Sequence, residues 1–192
     1  MKKVLKFIAC VLVLLVVLFI INNVRNNTIL EKWKNASENI KENGLENYYY
    51  ETKINLGVKN KFFMKVYYLD GIYRVVSLSF DELEILEYDE NGNVLLNKGE
   101  LTEEEIIFLK DDVKKEKSAF FEEISEDEYK QKKKDYMFKR IKLFGDYYIV
   151  EHGSWDYYIN KESGIVEKKV AESAEVIFKT DVVIIDDFDY VN

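Results

Sequence analysis

Lys61-Phe62-Phe63-Met64-Lys65-Val66-Tyr67-Tyr68-Leu69-Asp70-Gly71-Ile72-Tyr73-Arg74-Val75-Val76-Ser77-Leu78-Ser79 decides the fold. Phe62, Met64, Val66 and Tyr68 alternate with Phe63, Lys65, Tyr67 and Leu69, and a period of two places alternate side chains on opposite faces of a strand. Asp70-Gly71 then supplies two residues that tolerate positive φ in a tight turn, the strongest short-range hairpin pattern. Ile72 to Ser79 is therefore predicted to return antiparallel to its predecessor.

The same pattern extends outward in both directions. Upstream, Tyr48 opens a first strand containing Ile54 and Leu56. Downstream, Leu83 to Tyr88 adds a strand, and Asp89-Glu90-Asn91-Gly92-Asn93 turns into Val94-Leu95-Leu96. Thr102-Glu103-Glu104-Glu105 and Ser125-Glu126-Asp127-Glu128 both fit a capping box, whose first and fourth side chains satisfy free backbone amides. They predict helices from Leu101 to about Ser118 and from Ser125 to about Lys134. A second meander follows, with strands at Tyr136 to Phe144, Tyr147 to Glu151, Trp155 to Asn160, Ile165 to Val170 and Glu175 to Ile185. Apart from this meander, helix, meander order there is no internal repeat, and no linker long enough to divide the region.

The N-terminus follows a different rule. Phe7 to Ile21 is fifteen residues without a polar side chain, and with Lys6 snorkelling the span extends from Val4 to Ile21. Eighteen residues at ~1.5 Å each reach roughly 27 Å, close to the hydrocarbon thickness of a bilayer. From Cys10 to Asn35 there is no Ala, Gly or Ser, which disfavours cleavage by a signal peptidase. The expectation is a signal anchor over residues 7–24, with residues 1–6 cytoplasmic and residues 28–192 forming one extracytoplasmic domain. Lys2, Lys3 and Lys6 before the span, against Arg25 just after it, set that orientation by the positive-inside rule. Ile29, Leu30, Trp33, Ala36 and Ile40 recur at three- and four-residue spacing and predict a helix from Thr28 to Asn43 that follows the span and stops at Asn43-Gly44.

Composition agrees with a β-rich domain: 15% of residues are aromatic, with 14 Tyr and 12 Phe, residues that suit half-buried pleated surfaces. The single Cys lies in the apolar run, so no intramolecular disulfide supports the fold. Residues 1–27 hold four basic side chains and no acidic one, whereas the whole chain has 28 basic and 36 acidic, leaving the remainder at about −12. A domain so charged is repelled by nucleic acid and by anionic headgroups. Lys130-Gln131-Lys132-Lys133-Lys134 is the exception, either a solvated face or a contact for an anionic surface.

No catalytic constellation emerges. His152 is the only histidine, so neither a histidine triad nor a histidine metal cluster can form. Asp89 to Asn93 has the acidic spacing of a calcium loop, but Val94 stands where that loop needs Gly, and the stretch reads as a hairpin turn. Asp186, Asp187 and Asp189 would need oxygens from other segments to hold calcium. There is no Gly-rich phosphate loop and no Gly-x-Ser-x-Gly elbow, and no cofactor is expected.

Gly145-Asp146-Tyr147-Tyr148-Ile149-Val150-Glu151, with Trp155-Asp156-Tyr157-Tyr158-Ile159-Asn160-Lys161-Glu162-Ser163-Gly164-Ile165-Val166-Glu167-Lys168, resembles the closing hairpins of the LolA-like lipoprotein-carrier and periplasmic sensor fold. The resemblance implies an α+β fold in which an incompletely closed antiparallel barrel, a half-barrel, carries helices on its concave face. It further implies non-catalytic capture of an acyl chain or other apolar group, or reading of an envelope signal. The anchor departs from the soluble carriers by excluding free shuttling. The stripe Phe62, Met64, Val66, Tyr68 with Trp155, Tyr157 and Ile159 could line such a cavity or form ordinary core, since both use the same residues. The alternative from a different class is a structural or assembly subunit docking on another cell-envelope protein.

Overall fold

The computed structural model describes residues 2–45, 47–55, 61–79, 82–120 and 124–180. Among these residues the fold is α+β: one long N-terminal helix, ten antiparallel strands in one open sheet, and two further helices. Helix α1 (Lys2–Asn43) leads into β1 (Tyr48–Asn55), β2 (Lys61–Leu69), β3 (Ile72–Ser79), β4 (Glu82–Asp89) and β5 (Val94–Lys98). Helices α2 (Glu103–Phe120) and α3 (Glu126–Asp135) follow. Strands β6 (Lys142–Phe144), β7 (Tyr147–His152), β8 (Trp155–Asn160), β9 (Val166–Val170) and β10 (Ala174–Lys179) complete the sheet. The strand order is β5-β4-β3-β2-β1-β10-β9-β8-β7-β6, so two five-stranded meanders meet at the β1/β10 seam and, among the described residues, the sheet ends at β5 and β6.

Register explains why one face is buried. Leu86, Val75, Val66, Tyr50 and Phe178 are consecutive cross-strand partners on β4, β3, β2, β1 and β10, and all five are excluded from solvent. On the other half, Lys169, Tyr157 and Val150 are likewise partners across β9, β8 and β7. This concave face and the helices share one continuous hydrophobic cluster, and each fully buried aliphatic or aromatic side chain contributes about 1.5–3 kcal/mol.

Both predicted capping boxes form. Thr102 exchanges hydrogen bonds with Glu105, and Ser125 with Glu128. Helix α2 buries Leu109 and Val113 against the sheet, while α3 has no fully buried residue: Tyr129 packs partly buried against the core, Lys132 donates to the Glu151 carbonyl, and Lys130, Lys133 and Lys134 are exposed. The Asp89–Asn93 stretch is the expected hairpin turn, its carboxylate accepting from the Asn93 backbone amide (2.8 Å) and side-chain amide (2.8 Å). Those bonds hold the Asp89 carboxyl below its usual range.

Two boundaries differ from the sequence-based expectation. The span and the helix predicted from Thr28 are one uninterrupted helix, although Asn22, Asn23, Asn26 and Asn27 have poor helix propensity. Tertiary contacts decide this. Asn26, 1% exposed, donates to the carbonyls of Tyr136 (2.9 Å) and Lys139 (2.7 Å) and accepts from Ile141 N (3.3 Å), while Arg25 donates to the Ile141 carbonyl (3.2 Å). The same bonds account for the second difference: residues 136–141, expected as strand, are a loop clamped to α1, and only Lys142–Phe144 pair with β7. Leu56 of the expected first strand, and the expected strand beyond residue 180 with Asp186, Asp187 and Asp189, lie outside the described residues.

The β8–β9 turn locks α1 against the sheet. Gly164 adopts φ +77°, and a Cβ there would lie 2.7 Å from the Lys32 carbonyl oxygen and 2.9 Å from its Cγ. Lys32 Nζ in turn donates to the Lys161 carbonyl. Gly164→Ala is expected to cost about 2–4 kcal/mol from left-handed strain plus the clash, lowering the thermal midpoint by roughly 5–12 °C. An unchanged midpoint in thermal unfolding of the full chain would show that α1 does not sit this close to the turn.

Candidate ligand-binding site

The concave face is filled unevenly. Ile29, Leu30 and Trp33 of α1 and Leu109 and Val113 of α2 occupy most of it. A cavity of about 380 Å³ remains where α1 ends, lined by Ile40, Lys41, Gly44, Leu45, Tyr48, Tyr68 and Lys117. Gly44 ends the helix in a left-handed conformation (φ +70°), its N–H returning to the Ile40 carbonyl at 2.9 Å. That sharp exit turns the chain into β1 and leaves the space open.

Its wall is a row of tyrosines. Tyr48, Tyr68, Tyr73 and Tyr88 are cross-strand neighbours on β1, β2, β3 and β4, with successive ring centroids 5.0, 4.7 and 4.9 Å apart. Alternation sends all four rings to the concave side, and their large apolar faces stack there. Helix α2 lays lysines over them. Lys117 Nζ stands 5.3, 5.5 and 5.7 Å from the ring centres of Tyr48, Tyr68 and Tyr73 and donates to the Tyr73 hydroxyl at 3.2 Å. Lys110 covers Tyr88 at 5.1 Å and donates to the Gly92 carbonyl at 2.7 Å. An ammonium among ring faces is held by cation–π attraction in a partly desolvated setting.

The phenols respond to this environment. Burial pushes Tyr48 and Tyr88 well above the ordinary range. A hydrogen bond to the Glu90 carboxylate, with burial second, pushes Tyr68 up to about 12.

The predicted stripe divides between this site and the core. Tyr68 lines the cavity. Met64, Val66, Tyr157 and Ile159 are buried core residues beneath the helices. Trp155 is half-buried against that core, at the end of β8 opposite His152. Phe62 is opposite Ile54 in register, and its side chain lies outside the described residues. Of the β8 members, Tyr157 belongs to a second cluster in which Trp33, His152 and Tyr157 meet edge to face or tilted, at 5.2–6.0 Å, with buried Lys169 over the Tyr157 ring at 4.9 Å. His152 ends β7, 3.8 Å from the Glu128 carboxylate. Missing from the predicted stripe are Tyr48, Tyr73 and Tyr88 and, above all, Lys117. The tyrosines share the alternation already read, but nothing in a single strand announces which helix lysine will cover it.

No group of three or more metal-ligating side chains occurs among the described residues. The apolar part of α1 is long enough to cross a membrane, and its side chains from Val4 to Ile21 are exposed. Comparison with family models, with curated proteins and with solved structures finds no match.

The raised phenols make a pH prediction. A neutral phenol favoured by folding contributes stability that is complete below the unfolded value of about 10 and is lost as pH rises through the folded value. Tyr68 should therefore ionise near 12, and Glu90→Gln should bring that step down towards about 10. Phenolate absorbance of wild type, Tyr68→Phe and Glu90→Gln measures this, and a Tyr68 step already near the ordinary value would contradict the described contact.

Proposed function

We propose that this chain is a membrane-anchored binding protein, non-catalytic, whose extracytoplasmic half-barrel takes an apolar ligand of acyl type carrying an anionic group. The observation that carries the reading is the cavity at the end of α1, whose wall combines the rings of Tyr48 and Tyr68 with the lysines Lys117 and Lys41. Its volume lies within the range of small-molecule sites. The exposed apolar stretch of α1 supports the anchor, and the basic residues before it support a cytoplasmic N-terminus. The likeness of the β7–β9 hairpins to LolA-like carriers supports a lipid-type ligand.

Geometry adds a restriction on how such a ligand arrives. Ile40 lies nineteen residues beyond Ile21 on one helix, roughly 28 Å at the ordinary rise. The cavity thus faces away from the anchoring bilayer, and a ligand reaches it from solution or from a partner rather than by lateral diffusion out of that bilayer.

The alternative, docking on another envelope protein, is favoured by one feature: β5 is a free edge whose Val94, Leu95 and Leu96 are all exposed, a template for strand addition.

A photoreactive diazirine fatty acid, added to the full chain in lipid nanodiscs and mapped by mass spectrometry, tests the leading reading. Labelling should appear on the peptides containing Tyr48 and Tyr68, and Lys117→Glu should reduce it by on the order of tenfold through loss of a charge-assisted contact. Labelling confined to residues 2–24 would remove the cavity as a ligand site and leave edge docking at β5 in first place.

A further inference from the structure

The loop that clamps onto α1 carries the most exposed aromatic ring of the folded region. Phe138 is 84% exposed, and the nearby Leu143 and Phe144 are 54% and 68% exposed. A soluble surface gains nothing from a phenylalanine held there by an ordered backbone, yet this backbone is held firmly. Asn26, buried, fixes the carbonyls of Tyr136 and Lys139, and Arg25 fixes that of Ile141.

The ring does have one neighbour. Phe138 packs against Phe19 with centroids 5.2 Å apart. Phe19 belongs to the apolar run of α1, three residues before Asn22, or roughly 4.5 Å deeper along the axis. Phe138 therefore lies below the first polar residue that follows the apolar run, at the depth where interfacial side chains lodge between headgroup and acyl chain.

Charge around the loop has the matching sign. Residues 130–144 contain seven basic side chains and one acidic one, Asp135, in a chain of net charge −8. Lys139, Arg140 and Lys142 on the loop and edge strand are exposed. Glu151 pairs with Lys139 and lies 4.0 Å from Lys142, partly offsetting them. Leu143 pairs with Tyr148, the ring under Arg25, so the edge strand β6 runs beside α1 where that helix leaves its apolar stretch.

We propose that residues 137–144 form a second membrane contact: Phe138 and Leu143 insert into the interfacial layer of the bilayer that α1 crosses, and Lys139, Arg140 and Lys142 meet lipid phosphates. The contact rests on the reading of α1 as a membrane span. It fixes the domain's tilt as well as its distance, because two points on the surface are held instead of one. An acidic domain that would drift from an anionic bilayer is kept seated by its one basic, aromatic edge.

The test uses the full chain in nanodiscs of phosphatidylcholine and phosphatidylglycerol, with and without doxyl-labelled phospholipid. An environment-sensitive fluorophore is placed on native Cys10, or, in a Cys10→Ser background, on Phe138→Cys, Leu143→Cys or Asn91→Cys. Asn91 lies in the β4–β5 turn beside Glu90, which bonds Tyr68 at the far end of the half-barrel. Labels at 138 and 143 should shift to shorter emission wavelength and lose about half of their intensity to doxyl lipid, as expected of an interfacial position, while the label at 91 does neither. Should 138 and 143 behave like 91 while Cys10 is quenched, the span stands and the second contact is wrong. An unquenched Cys10 would overturn the span and the contact with it. Far-UV circular dichroism checks folding of each variant, and the Leu143 position decides if Phe138→Cys does not fold.

Discussion

One helix is shared between two environments, and the rest of the structure depends on that sharing. Residues Val4 to Ile21 of α1 expose their side chains, whereas Asn26, Ile29, Leu30 and Trp33 of the same helix are buried on the concave face of the sheet. The sheet cannot bury its inner face without α1, because its two edges do not meet and the register leaves a continuous apolar file facing inward. A helix whose apolar stretch is long enough to cross a bilayer and whose next turns complete a core would transmit position rigidly. The helix runs unbroken through the asparagine-rich stretch between its exposed and buried parts, where Asn26 is hydrogen-bonded to the 136–141 loop.

The tyrosine row follows from the same constraint. Where α1 runs out, at Gly44, the inner face loses its plug, and the side chains there must suit a half-wet surface. Tyrosine does so: the rings stack on their cross-strand neighbours, and at the half-buried positions the hydroxyls reach polar partners, Tyr68 donating to Glu90 and Tyr73 accepting from Lys117. Lysines from α2 close the row from above. The proposed ligand site is thus a part of the half-barrel that its own helices leave uncovered, and the proposed membrane contact lies beside Phe19 and Asn26, near the middle of the same helix.

Much of this architecture was legible in the sequence, and for identifiable reasons. Alternation through Phe62 to Leu69, the Asp70-Gly71 turn and the two capping boxes are local patterns, and each formed where read. The apolar run of α1 was equally plain. What a local pattern could not convey was long-range satisfaction. Four asparagines in six residues argue for a helix break until Asn26 finds partners more than a hundred residues away. Tyr136 to Ile141 has strand-like composition, yet its carbonyls are taken by α1 rather than by a neighbouring strand. Alternation puts Met64, Val66 and Tyr68 on one side of β2, but only the end of α1 determines that Tyr68 lines a cavity while Met64 and Val66 are covered. Lys117 could not be placed by periodicity at all, because its role depends on α2 crossing four strands.

The continuity of α1 through Asn22 to Asn27 is the central claim, and amide hydrogen exchange of the full chain in nanodiscs measures it most directly. A single helix clamped by the 136–141 loop predicts that the amides of Asn23 to Thr28 exchange as slowly as those around Trp33, and that Asn26→Ala accelerates them selectively. Fast exchange across Asn22 to Asn27 in the wild-type chain, with protection on either side, would mean a hinge between membrane span and domain, and would contradict the account.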